Sequence, residues 1–483
     1  MQVSYQRIEN PNGEYWIWEK KIHCKTESKL YPSTISNVGS GVSVAVYQKD
    51  ENCNEVQIAQ LQLPDYDKLA EYYTNGKDIN LDYSYVDNFA WLGEKRFCEA
   101  KDLPVIMHEG FSARCSLFNG SENKVQLNLM NSTIKSGDID FDYSGFINLD
   151  INLFEVDIEQ GNLLFRNTRL YDTDIYMFNV RCGGNRANSS ELSFCYAIAN
   201  DVTIETMLFD QDLSIDFLGT KTCNTTISID TYPAVIKELC LIKSTVNTVN
   251  ITNSYIDILD IRESNIDSLK FHKCRLIDCA EINGCIQELY IFDCLISAVF
   301  KLSVPHVNKL SFSGTINNGK IKFSDFVSAI PAMVEKSCGD AEQLLMLKEN
   351  FRQNGEYENE DICHLHFQKL KTKEEKNALK KTWRCLIDCV SGYGTKPFRM
   401  LVVILAIIIL FGTLYYFIPY LSYHGANTWI EHIYVSGITF FAVGYGDLYP
   451  LNTATKMVSL LEAFLGVVST SYFLVLLSRK VIR

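Results

Sequence analysis

The chain has 483 residues, a net charge of −13 and 47% hydrophobic residues, so it is long enough for several domains, and the acid excess argues against a nucleic-acid partner. Its sixteen cysteines include no CxxC pair, and residues 1–15 are polar and hold no apolar export signal. These features argue against a secreted disulfide framework and fit a reducing compartment in which thiols pack as small hydrophobes.

Residues 1–110 are expected to form a β-rich module or a cap on the repeat-bearing segment after it. Tyr15-Trp16-Ile17-Trp18 alternates like a strand, and Asn12-Gly13 reads as a turn.

Over residues 111–325 the dominant signal is a period of five. Reading every fifth residue from Ile236 to Ile296, twelve of thirteen positions are apolar, with Glu281 the exception, where composition alone gives about six. Two residues before each lies a second series, from Ala234 to Cys294, in which Ser244, Ser254, Ser264, Cys274 and Gly284 alternate with larger residues; Cys279 belongs to it. Ser264-Asn265-Ile266, Thr173-Asp174-Ile175 and Phe178-Asn179-Val180 carry the local pattern, and Ile139-Asp140-Phe141 and Leu149-Asp150-Ile151 extend it upstream. The pattern degrades over residues 181–233, where insertions are expected. It resembles the pentapeptide repeat family. The resemblance implies a right-handed parallel β-helix in which four pentads make one coil, so that Cys274 stacks on Cys294. A leucine-rich repeat fits poorly, because its period is ~20–29 residues.

Residues 326–399 change to helical spacing, with Leu344, Leu347 and Phe351 in one segment and Leu379, Trp383, Leu386 and Val390 in another. Cys363-His364-x-His366 has the composition of a metal site, but the spacing does not put all three on one helix face and no second ligand cluster accompanies it. Residues 366–399 hold nine Lys and Arg against three Asp and Glu, a net of +6 that suits an anionic cytoplasmic leaflet. Residues 400–483 carry a net of +1, leaving −20 for residues 1–365, a solvated surface or a dock for a basic protein or a small-molecule regulator.

Residues 400–483 read as two membrane spans around a re-entrant loop. Residues 400–421 contain no charge, and residues 457–477 contain only Glu462. Lys380, Lys381, Arg384, Lys396 and Arg399 precede the first span, and Arg479, Lys480 and Arg483 come after the second, so both termini are expected in the cytoplasm of a cell whose inner or plasma membrane holds the chain. No arginine-rich span precedes residue 400, so a voltage sensor is not expected, and control is expected from residues 1–399, with the helical segment as relay.

Between the spans stands Ala442-Val443-Gly444-Tyr445-Gly446-Asp447, in which two glycines flank one residue and free the backbone to aim successive carbonyls one way. Residues 427–478 resemble the pore of bacterial two-transmembrane potassium channels. That implies a pore helix capped by Asn427 or Thr428 and a filter of Ala442, Val443, Gly444, Tyr445 and Gly446 whose backbone carbonyls hold potassium ions. It further implies a hinge glycine at Gly466 and a cavity and gate lined by Val467, Thr470, Leu474 and Ser478. Two positions depart from the family: Ala442 replaces a threonine hydroxyl, and Ile438 replaces a glutamate that braces the filter. A threonine at position 442 is expected to fit an extended backbone. Tyr434 is placed to bond Asp447, and Glu462, at membrane depth, to brace the pore helix from behind. The whole order resembles bacterial pentapeptide-repeat ion-channel proteins. The fold class expected is therefore multidomain: a cytoplasmic β-helix, a helical linker and an all-α pore domain. The function it implies is a homotetrameric potassium channel with no cofactor and no catalysis; the alternatives are a non-selective cation channel or a membrane-anchored interaction protein.

Overall fold

The computed structural model describes residues 23–30, 36–49, 54–89, 105–108, 110–120, 124–182, 190–209, 212–334 and 341–482; the Asn12-Gly13 turn and the strand at Tyr15-Trp16-Ile17-Trp18 lie outside them. The chain divides into two compact units, Met1–Gln343 and Leu344–Arg483.

The first unit opens with an antiparallel sheet of β1 (His23–Leu30), β2 (Gly39–Lys49) and β3 (Glu55–Pro64). Alternate residues Val44, Val46, Ala59 and Leu61 point to one side and pack with Tyr85, Leu117 and Ile147 of the first solenoid coils. The sheet thereby covers apolar residues that the first coils would otherwise leave facing water. Helix α1 (Tyr66–Thr74) comes next, capped by the Asp65 carboxylate, which accepts the Lys68 N–H at 3.2 Å.

A parallel β-solenoid fills the rest of this unit. One ladder runs through it, with each residue paired to the next: Ile79, Phe111, Ile139, Leu163, Leu192, Ile215, Leu239, Leu259, Ala280, Phe300 and Ile321. All are buried. The first rung, at Ile79, starts the solenoid earlier than the boundary of 111 read from the repeat. The numbering shows why the repeat is visible only in part. Rungs lie 20 or 21 residues apart from Leu239 onward, but 24 apart from Ile139 to Leu163 and 29 from Leu163 to Leu192. The longer coils carry a further short strand, and Val105–Met107, Ser132–Ile134, Asp157–Ile158 and Arg181–Cys182 form a separate parallel sheet.

The Glu281 exception has a local cause. Ile256 pairs with Leu276, but Ile258 pairs with Cys279, so one residue is bulged out. Ala280 and Ile282 therefore point inward, and Cys279, expected inside, is only half-buried. The slip is undone between Asn283 and Gly284, after which Ile286 resumes the phase. Glu281 faces outward, 3.3 Å from the Lys301 ammonium.

Inside, like sits on like. Phe141, Phe165, Phe194 and Phe217 form a continuous stack with centroids 5.0–5.2 Å apart. At one corner the small residues accept backbone N–H groups from neighbouring coils: Ser264 Oγ from Ser244 N–H at 3.0 Å and Cys294 Sγ from Cys274 N–H at 3.4 Å. Small size there is thus a hydrogen-bonding requirement as well as a packing one. The last rung, Lys320–Phe323, leads into α2 (Phe326–Val334).

The second unit is helical: α3 (Glu342–Asn354), α4 (Tyr357–Glu374), α5 (Ala378–Ser391), α6 (Pro397–Phe417), α7 (Trp429–Phe440) and α8 (Thr453–Val481). Leu344, Leu347 and Phe351 on α3 are fully buried. The α5 stripe is not: Leu379, Trp383 and Leu386 are exposed on the chain. Burial and the Lys348 ammonium, 3.4 Å from its Nδ1, hold His364 below the usual histidine range, and burial lowers His366 as well. Among the described residues no three His, Cys, Asp or Glu side chains converge as metal ligands.

Candidate cation-conducting pore

Among the described residues, two helices are long and apolar enough to cross a bilayer: the 21-residue α6, with a mean hydropathy of 2.6 over an 18-residue window, and the 29-residue α8, with 2.0 over such a window. At ~1.5 Å per residue α6 reaches ~32 Å, enough to span the hydrocarbon core. It starts at Pro397, whose fixed φ suits a first helical turn. It ends at Phe417, four residues short of the apolar run read from the sequence, because Pro419 disfavours a helical Ile418.

Helix α7 dips between them. Thr428 caps it: its hydroxyl accepts the Glu431 N–H at 3.3 Å, while the Glu431 carboxylate accepts the Thr428 and Asn427 N–H groups, each at 2.7 Å. This reciprocal box settles Thr428 over Asn427 as the cap residue and fixes where the helix begins.

The helix ends at Phe440, and the backbone then alternates. Ala442, Gly444 and Gly446 have φ of +53°, +56° and +82°, whereas Val443 and Tyr445 are not among the positive-φ residues. Alternating signs cancel the turn that a helix would make, which lets successive peptide groups present the same edge to one side. Ala442 is thus left-handed, not extended, and the expectation that threonine fits there is corrected: a β-branched side chain is disfavoured at this φ. A Cβ added at Gly444 or Gly446 would meet nothing within 4 Å, and Ala442, Val443 and Tyr445 are exposed. No other part of the chain among the described residues covers this segment.

The support behind it is tightly built. Asp447 accepts the Tyr434 hydroxyl at 3.2 Å. Glu462 on α8 is fully buried and accepts the Tyr415 hydroxyl of α6 at 2.6 Å and the Ser436 hydroxyl of α7. Ser436 also reaches the Ile408 carbonyl at 2.8 Å. One carboxylate therefore ties together all three helices of the pore domain. Where the chain returns from α6 and leaves for α8, Tyr423 and His424 pair with Pro450 and Tyr449, and the Tyr423 hydroxyl bonds Ser459.

Gly466, the hinge implied by the resemblance, has a packing role in this structure. Helix α8 runs unbroken through it, and a Cβ there would lie 1.9 Å from the Phe440 carbonyl oxygen. Its bare backbone lets α8 touch the end of the pore helix. Gly412 does the same on α6, where a Cβ would lie 2.7 Å from Ile433 Cα. Beyond Gly466, Val467, Leu474 and Ser478 are exposed and Thr470 is half-exposed. The Thr470 and Ser478 hydroxyls return to the Gly466 and Leu474 carbonyls.

Sequence reasoning missed Tyr415, Ser436 and Gly412. A signal existed for each. A carboxylate at membrane depth requires donors on the facing helices, and a glycine inside an apolar span marks a close approach.

Residues 403–483 match a protein-family model described as "Ion channel". No curated protein and no solved structure matches the chain. The C-terminal segment is therefore an ion-channel domain, joined to a β-solenoid by helices.

Proposed function

We propose that this chain assembles as a homotetrameric, potassium-selective channel of the inner or plasma membrane, with both termini cytoplasmic. Conduction is passive, and the gate answers to the cytoplasmic N-terminal portion. The observation that carries this reading is the φ alternation over residues 442–446 on a segment that none of the other described residues covers. One chain supplies one filter strand and two spans, and four strands around an axis replace an ion's water shell with carbonyl oxygens. Potassium ions are held by the backbone carbonyls of Ala442, Val443, Gly444, Tyr445 and Gly446, with no side-chain metal site, cofactor or catalytic step. Val467, Thr470, Leu474 and Ser478 line the cavity and the inner constriction. A basic protein or a small molecule acting on the acidic portion is the class of regulator expected.

Because Ala442 contributes no hydroxyl, the innermost site is weaker than the others, and this residue is the reason to weigh a non-selective pore. Thallium or potassium flux in proteoliposomes, followed by reversal potentials under a sodium–potassium gradient, tests both points. A bi-ionic potential near zero would leave a channel but overturn its selectivity. An absence of flux from verified tetramer would overturn the channel and leave a membrane-anchored interaction protein.

A further inference from the structure

Helix α5 carries an apolar stripe whose first three residues no described part of the chain covers. Leu379, Trp383 and Leu386 are 83%, 63% and 52% exposed and succeed one another at helical spacing. The neighbouring positions Thr382, Cys385 and Cys389 are exposed and uncharged. The helix is formed and capped at both ends: the Asn377 side chain accepts the Leu379 and Lys380 N–H groups at 3.0 and 3.3 Å, and Gly392 closes it at φ +57°. This is therefore an ordered apolar face, not a frayed end.

The same face continues about three turns on into Val390, which is held at the foot of the pore domain. Val390 packs against the cluster of Met400, Ile404 and Leu476. The Ser391 and Tyr472 hydroxyls are 3.0 Å apart, and the Arg399 guanidinium donates to the Asp388 carbonyl at 3.4 Å. Five residues separate Ser391 from Pro397, the first residue of α6. The stripe is thus fixed within a few residues of the point where the chain enters the bilayer. The charges point to the same occupant. Lys380, Lys381 and Arg384 belong to this helix, against one acid, Asp388. Leu and Trp on one face, with Lys380 at its flank and Lys381 and Arg384 toward the opposite face, is the composition of a helix that lies in a membrane interface.

We propose that α5 lies on the anionic inner leaflet, with Leu379, Trp383 and Leu386 at the boundary between headgroups and acyl chains, Lys380 at their flank among the headgroups, and Lys381 and Arg384 on the polar face adding to the positive charge at that surface. The proposal rests on α6 and α8 spanning the membrane. It commits to lipid as the cover for the stripe and excludes a neighbouring subunit there. Through Ser391 and Tyr472 it also links the lipid surface to α8 two residues before Leu474.

The test is photocrosslinking of the full chain in vesicles containing anionic lipid. p-Benzoylphenylalanine is placed singly at Leu379, Trp383 and Leu386, with Val402 on α6 as the span control. Lipid adducts at the three α5 positions and at Val402 are expected. Protein adducts, or none, at α5 while Val402 labels lipid would overturn the proposal but leave the spans intact. No lipid adduct at Val402 would overturn the membrane reading and this proposal with it. Tryptophan quenching by acyl-chain bromolipids checks the same point without a bulky label: the quenched signal should fall in Trp383→Phe, and an unchanged signal would count against the proposal. Replacing Lys380, Lys381 and Arg384 with glutamine should reduce α5 lipid adducts and remove their dependence on the anionic fraction.

Discussion

Removing the Tyr415 hydroxyl is the most decisive single perturbation of the pore scaffold. Tyr415→Phe keeps the ring, its volume and its edge contact with Tyr423, at a centroid distance of 5.0 Å, and deletes only the donor to Glu462. The 2.6 Å O–H···O separation lies in the charge-assisted range, and hydrogen bonds to charged groups contribute about 1.5–3 kcal/mol. Neutral hydrogen bonds between membrane helices average only about 0.6 kcal/mol by double-mutant cycles. The two cases are far enough apart to separate. Tyr415→Phe, Glu462→Gln and the double variant should be compared by unfolding of the detergent-solubilised full chain. The expected coupling energy is about 1.5 kcal/mol or more. Ser436→Ala should cost less at Glu462, because the carboxylate keeps Tyr415, although the variant also gives up the bond to the Ile408 carbonyl. A Tyr415–Glu462 coupling at or below about 0.6 kcal/mol would refute the charge-assisted brace and reduce Glu462 to an ordinary buried polar group.

Gly466→Ala would place a methyl 1.9 Å from the Phe440 carbonyl and should abolish flux, whereas Gly437→Ala, whose nearest atom is 4.0 Å away, should leave flux intact; equal effects would remove the close-contact role of Gly466. Ala442→Thr should cost about 1 kcal/mol or more at φ +53° and reduce channel yield, while Ala442→Gly should be tolerated; a fully stable threonine variant would show that the filter backbone is not left-handed there. Ile261→Asp, at a fully buried position, should lower thermal stability by several kcal/mol, and Arg262→Asp, which breaks an exposed pair with Asp260, should lower it far less; similar losses would refute the solenoid register. His364 is held below its ordinary value of 6.5, so the folded state binds fewer protons than the unfolded one, and stability should fall as pH drops through 6.5 toward the lower folded value; His364→Gln should flatten that slope in thermal unfolding.

The sequence by itself determined the elements whose chemistry is local. Two long apolar runs, one without a charge and one with Glu462 alone, are costly to leave in water, so α6 and α8 were legible, as was the Gly444-Tyr445-Gly446 turn between them. The five-residue period was legible from Ile236 onward, because coils of about 20 residues there keep every inward position in phase. Upstream, coils of 24 residues from Ile139 to Leu163 and 29 from Leu163 to Leu192 carry a further strand and shift the phase, so the same solenoid shows its pattern there only in separate stretches such as Thr173-Asp174-Ile175. Cys279 was misplaced for a related reason: a bulge is decided by the pairing partner, and no residue within the strand announces it. Tertiary structure alone decided what Glu462 touches, since Tyr415 and Ser436 lie 47 and 26 residues away and meet it only when three helices pack. It also decided that Gly466 is a contact with the Phe440 carbonyl, that Ala442 is left-handed, and that Leu379, Trp383 and Leu386 are exposed while Val390 packs on the pore domain. Period and hydropathy are properties of one segment and survive in the sequence; register, close approach and exposure are relations between segments and exist only after folding.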